Sequence, residues 1–233
     1  MPRVIKIAVA ACVCLAGCGG QARSTATSSG NVVTHAPPRP ARARRAVAGV
    51  DPCPPRSSGT LPQTGRLPTA SSACFHAITQ ALWQAIRQGT ARGALYAFFP
   101  LPAYEQVKAI GDPHADYDTR LLGEYALDIR AAHRLLGQDA GAAHLVGTIV
   151  PQGYAHWISP GACDNRLGYY EVPNARVVYR VGQHVSSFGI ASMISWRGTW
   201  YVVHLGAVTR SGPGGTVDDP SDGPGTPAPS STC

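Results

Sequence analysis

The chain has no apolar run long enough to cross a bilayer, no acidic residue before Asp51, and almost no lysine, since Arg outnumbers Lys eighteen to two. The first absence excludes a transmembrane helix, which needs about 20 consecutive apolar residues. The second confines the charge imbalance to one segment. Arg23, Arg39, Arg42, Arg44 and Arg45 have no carboxylate near them in sequence, whereas Asp51 to Arg210 carries thirteen basic and ten acidic residues and the tail beyond adds three Asp. Once a cleaved leader is set aside, the excess positive charge lies wholly upstream of Asp51. The net charge of +7 is therefore no argument for a nucleic-acid partner.

Catalytic and metal signatures are missing as well. No His-Glu-x-x-His, Gly-x-Ser-x-Gly, phosphate loop or paired-Cys zinc spacing occurs, and the eight His are scattered. The residues imply no cofactor and no metal centre, and there is no internal repeat.

What is present begins with an address. Arg3 and Lys6 form a positive start, Ile7 to Ala16 an apolar stretch, and Leu15-Ala16-Gly17-Cys18 follows. This pattern predicts a cleaved signal peptide over residues 1–17. The four residues ending at Cys18 resemble the lipobox of bacterial lipoproteins. The resemblance implies cleavage before Cys18 and lipid attachment to its sulfur, hence an anchor on the outer face of the plasma membrane. Residues 18–50 are rich in Ser, Thr, Ala, Pro and Arg and predict a disordered basic tether, too poor in apolar surface to offset ordering entropy. Beside a lipid anchor such a tether is expected to lie near anionic headgroups, at about 1 kcal/mol per Arg close to the surface. Arg-for-Lys usage with abundant Ala, Gly and Pro fits a genome of high GC content, and the whole looks like the exported lipoproteins of actinobacteria. That likeness implies a location and no activity.

Residues 51–210 predict a single domain. Its clearest segment runs from Asn174 to Val208, where Val177 to Tyr179, Phe188 to Ser195 and Trp200 to Leu205 read as three antiparallel strands reversed at Gly182 and Gly198. Two earlier strands are expected at His144 to Val150 and Tyr154 to Ser159, and Tyr169 to Val172 is extended. Helices come first. One starts at Thr69, Ser71 or Ser72, ends at Gly89 and buries Phe75, Ile78, Leu82, Ala85 and Ile86. A second opens at Pro100 and Pro102 and reaches Ile110, and a third spans Asp118 to Leu136 with Gly137 ending it. Between them Asp112, His114, Asp116 and Asp118 alternate, but lack the glycine and glutamate of a calcium loop and read as a solvated polar loop. Helices followed by consecutive strands predict α+β, with N-terminal helices packed on one face of a curved antiparallel sheet. The order looks like nuclear-transport-factor-2-like or cystatin-like folds in topology only. Residues 211–233 read as a disordered Pro/Gly-rich tail.

The last hairpin has two registers. A two-residue loop at Arg197-Gly198 gathers Phe188, Ile190, Ile194, Tyr201, Val203 and Leu205 on one face and puts Trp200 and His204 on the opposite, more open one. A three-residue loop with Gly198 as a bulge would do the reverse. The first collects the aliphatic residues and is preferred.

Cys53, Cys74, Cys163 and Cys233 remain outside the leader and anchor, an even number that suggests two disulfides. Pairing Cys74 with Cys163 would clamp helix to sheet, and Cys53 with Cys233 would close the domain. For a binding site the densest polar and aromatic neighbourhood offers His156, Trp157, Asp164, Asn165, Tyr169 and Tyr170, with His204 from the last strand. The same residues also serve as packing and turn caps. Two functions remain open. One is a noncatalytic envelope domain that binds a small molecule, a glycan or a protein partner. The other is a hydrolase using His156, Asp164 or His204 in the mouth of the sheet.

Overall fold

The computed structural model describes residues 53–54 and 56–229. The leader, Cys18, the tether and Cys233 lie outside them. No described helix is long and apolar enough to cross a membrane.

The architecture is α+β: helices fill the N-terminal half and an open antiparallel sheet the C-terminal half. Helix α1 (Ala73–Gln88) begins where the Ser72 hydroxyl accepts the Phe75 N–H at 3.1 Å. It stops at Gly89, whose φ of 67° is left-handed. Glycine is required there twice over, because a Cβ would also stand 2.9 Å from the His133 ring. The expected stripe of Phe75, Ile78, Leu82, Ala85 and Ile86 is buried, with Trp83 beside it. Helix α2 (Leu101–Val107) follows Pro100.

The polar segment after α2 is not a loop. Asp112 accepts the Ala115 N–H at 2.9 Å and caps a short helix α3 (Pro113–Asp116). A π-helical turn (Tyr117–Leu121) joins it directly to α4 (Leu122–Leu136). Pro113 at the first helical position and the Asp112 cap are start signals outweighed, in the sequence reading, by the density of polar residues.

The sheet is built on one long ribbon. Strands β3 (Tyr169–Val181) and β4 (His184–Trp196) pair along nearly their whole length, reversing at Gly182. Two short strands flank β3, namely β1 (His144–Ile149) and β2 (His156–Ile158). Two more flank β4, namely β5 (Thr199–His204) and β6 (Asp218–Asp222). Ala97 to Phe99 extends the sheet beyond β5, with Phe99 N–H donating to the Val202 carbonyl and Val202 N–H to that of Ala97, both at 2.9 Å. Aromatic packing ties the layers together, Trp83 against Tyr179 and Phe98 stacked on Tyr125 with centroids 4.4 Å apart.

Three expectations are corrected. The two-residue loop stands, with Arg197 and Gly198 at φ 51° and 80° and Trp196 opposite Thr199. The face assignment beyond it fails, because Val203 is an extra residue between the pairs Met193–Val202 and Ser192–His204. A bulge of this kind inverts alternation past it, so His204 joins the face of Ile194 and Tyr201, and Trp200 is fully buried.

Cys74 does not bond Cys163. It bonds Cys53, with Cα atoms 4.5 Å apart, because the Pro-rich lead-in returns along the start of α1. Cys163 is itself disulfide-bonded, to a cysteine outside the described residues.

Finally, residues 211–229 are not featureless, since β6 comes from them. The Arg176 guanidinium is 0 % exposed and donates to Asp219 at 2.9 Å, Ser187 at 2.9 Å and Ser221 at 3.2 Å, while Asn174 donates to Asp218 at 2.8 Å. Buried donors on the sheet order the acidic tail, an effect invisible in the tail's own composition.

Candidate functional site

A cavity of about 180 Å³ lies between the sheet and the segment from α2 to the π-helical turn. Its sheet side is a row of residues on one face. Glu171 stands opposite Ile194, His156 opposite Glu171, and Ser192 opposite His204. The Ser192 hydroxyl donates to Oε1 of Glu171 at 2.6 Å, and His156 Nε2 lies 3.6 Å from Oε2. Both Glu171 and Ser192 are buried.

The helical side contributes cations. Lys108, just past α2, donates from Nζ to the Cys163 carbonyl at 2.6 Å and to Asn165 Oδ1 at 3.3 Å. The Asn165 amide nitrogen in turn donates to the Tyr169 hydroxyl at 2.9 Å. Backbone bonds fix this wall, since Arg166 N–H donates to the Val107 carbonyl at 2.7 Å and Ala109 N–H to that of Asp164 at 2.6 Å. Cys163 and Asp164 hold left-handed φ of 51° and 53°, an uncommon conformation for such residues that keeps the loop tightly turned. Arg120, from the π-helical turn, is gripped by both oxygens of Asp116 at 2.7 Å, and the Tyr104 hydroxyl donates to the same carboxylate.

These surroundings tune the titrating groups. Burial lowers the Lys108 ammonium below the usual lysine range, opposed by the charge of Asp164. The hydrogen bonds from Arg120 hold Asp116 below the ordinary carboxylate range. Burial pushes the Tyr169 phenol up to about 12, and pushes Tyr104 higher with the help of Asp116. His204 falls to about 4, chiefly through burial and secondarily through the positive charges of Arg120 and Arg210. At neutral pH its imidazole is uncharged.

Compared with known families, with curated proteins and with solved structures, the chain matches none.

Of the residues singled out from sequence, Asn165, Tyr169 and His204 meet in the cavity. Trp157 and Tyr170 do not. Alternation along β2 and β3 turns them to the opposite face, where their rings pack edge to face at 5.0 Å. His156 reaches the site only through Glu171, and Asp164 stays in the wall loop without lining the cavity. Asp112, Asp116 and Asp118 are engaged locally, as a cap, as the clamp on Arg120 and 3.4 Å from His114. Among the described residues no group of three or more metal-ligating side chains gathers. Sequence reasoning missed Lys108, Arg120, Glu171, Ser192 and Tyr104 as site residues. One signal was available: Lys108 is the domain's single lysine in a chain that otherwise uses arginine. Lysine offers a compact charge with three rotatable donors where arginine offers a planar fork.

The arrangement does not form a nucleophile triad. In a triad the imidazole lies between hydroxyl and carboxylate, so that it takes the proton. Here the Glu171 carboxylate is between Ser192 and His156. The cavity instead offers fixed donors, one buried carboxylate and an aliphatic side from Val107, Leu121 and Ile194, the composition of a small-ligand site.

Proposed function

We propose that the protein is a lipoprotein on the outer face of a bacterial plasma membrane, anchored through Cys18, whose domain binds a small polar molecule in the cavity between sheet and helices. The observation that carries the binding half is the cavity itself, with Lys108, Asn165, Tyr169 and Glu171 held in place by hydrogen bonds and backbone pairing. The lipobox-like Leu15-Ala16-Gly17-Cys18 supports the anchor, and the Cys53–Cys74 bond suits an oxidising compartment. The hydrolase alternative loses support because His156 and Asp164 do not share the cavity with His204.

Two experiments test the two halves. Cys18→Ser is expected to move the protein from the membrane fraction to the soluble exported fraction, and equal retention of the variant refutes the anchor. A fragment library of anionic, cationic and neutral compounds, followed by amide chemical shifts, is expected to perturb residues around Asn165, Glu171 and His204. If no fragment perturbs them, the binding reading fails.

A further inference from the structure

We infer that the cavity takes a small zwitterion, a molecule carrying a carboxylate and an ammonium group within an amino-acid-sized frame, with its carboxylate toward Lys108 and its ammonium toward Glu171. The inference rests on the binding reading above and names its ligand class.

Charge bookkeeping around the cavity leads there. Arg120 is committed to Asp116 through two bonds of 2.7 Å, and Arg210 to Asp128 at 2.8 and 2.6 Å. His204 is neutral at pH 7, its value lying near 4. This leaves two formal charges at the lining that no such clamp cancels, Lys108 from the helical side and Glu171 from β3. They are held by different elements and by neutral groups: the ammonium by the Cys163 carbonyl and the Asn165 side chain, the carboxylate by the Ser192 hydroxyl. An ammonium has three N–H donors, so these two acceptors leave one for a ligand, and a carboxylate can accept several bonds beyond the one from Ser192.

An anion alone would bring a second negative charge to Glu171, and a cation alone would bring a second positive charge to Lys108. Each is penalised where water is scarce. A zwitterion meets both charges with the opposite sign. Size agrees, because about 180 Å³ corresponds to roughly six waters at their liquid volume, enough for a small amino acid and too little for a peptide or an oligosaccharide. The remaining groups suit the frame between the charged ends. The Tyr169 hydroxyl, accepting from Asn165, keeps its own hydrogen to donate, and Val107, Leu121 and Ile194 supply apolar contact for a short side chain.

The test is a thermal-shift and calorimetric titration of the full chain with a panel of small α- and β-amino acids, each run beside the matching carboxylic acid lacking the amine and the matching amine lacking the carboxylate. At least one amino acid is expected to raise the melting temperature and bind saturably, with both matched analogues weaker by roughly tenfold or more, as expected for loss of a charged hydrogen bond. Lys108→Met and Glu171→Gln are each expected to weaken the amino acid to a similar degree, and Glu171→Gln should spare binding of the amine-free acid. Binding of the carboxylic acid as tight as that of the amino acid and insensitive to Glu171→Gln overturns the zwitterion and leaves a simple anion site. Equal binding of the amine overturns it in the other direction. If no panel member binds while neutral fragments perturb the cavity, the ligand class is wrong and the binding reading survives. If nothing perturbs the cavity, both fall. The analogue comparison needs no variant, so a variant that fails to fold does not remove the test.

Discussion

Ser192 and His204 face each other across β4 and β5 because Val203 is the extra residue of a bulge. That single insertion places an imidazole beside the cavity and buries it among Arg120, Arg210 and Lys108. Glu124 lies 3.9 Å from its Nδ1, and Asp128 favours protonation only weakly against these cations.

A pH dependence follows from that position. The folded His204 titrates near 4 and the unfolded one near 6.5, so the unfolded chain binds more protons between these values. The stability this group contributes is complete above pH about 6.5 and is lost as pH falls toward 4, up to about 3 kcal/mol. Urea unfolding at pH 7 and pH 4.5 measures the loss, and His204→Gln is expected to flatten that part of the curve. An unchanged pH profile in the variant rejects the assignment.

Asp128 is expected to be the most costly carboxylate to remove. Buried in α4, it accepts the backbone N–H groups of Gly206 and Thr216, both at 2.9 Å, besides the two bonds from Arg210. Asp128→Ala leaves a largely covered guanidinium and two backbone donors without their acceptor, and should destabilise the fold by about 3–5 kcal/mol. Asp128→Asn, which keeps an acceptor, is expected to cost less. Chemical denaturation of the two variants side by side decides the order.

Nonreducing peptide mapping should recover a Cys53–Cys74 link. With the leader removed and Cys18 lipidated, Cys233 is the remaining cysteine to pair with Cys163, and the same map should show that link. The 21-residue separation of the first bond corresponds in the chain-entropy model to about 3 kcal/mol. Cys53→Ser with Cys74→Ser is therefore expected to lower the melting temperature clearly. A Cys74–Cys163 peptide would contradict the fold.

The acidic tail should come off the sheet when its anchor is removed. Arg176→Met deletes the bonds to Asp219, Ser187 and Ser221 while filling similar volume. Amide exchange in Asp218–Asp222 is expected to accelerate in the variant, with β3 and β4 remaining protected. Because Asp219 is 55 % exposed, the tail's pairing contributes only about 1 kcal/mol, so global stability should change little by that route.

Residues alone determined the parts of this protein that local physics decides. The Ser72 cap, the Gly89 stop and the stripe between them specify α1, because capping and 3.6-residue periodicity act within one turn or two. Arg197-Gly198 specifies the hairpin loop in the same way, and helices followed by strands specify the α+β class. Only the tertiary structure decided the rest. The bulge at Val203 has no mark in composition, so the face of His204 was misread. Lys108 and Glu171 lie in different halves of the fold and far apart in sequence, so no spacing rule joins them. Cys74 had three partners open to it by count, and the return of the lead-in along α1 selected Cys53. The tail is ordered by buried donors contributed by another segment, Asn174 and Arg176. In each case the deciding energy belongs to a contact between distant segments, and a single segment read by itself does not contain it.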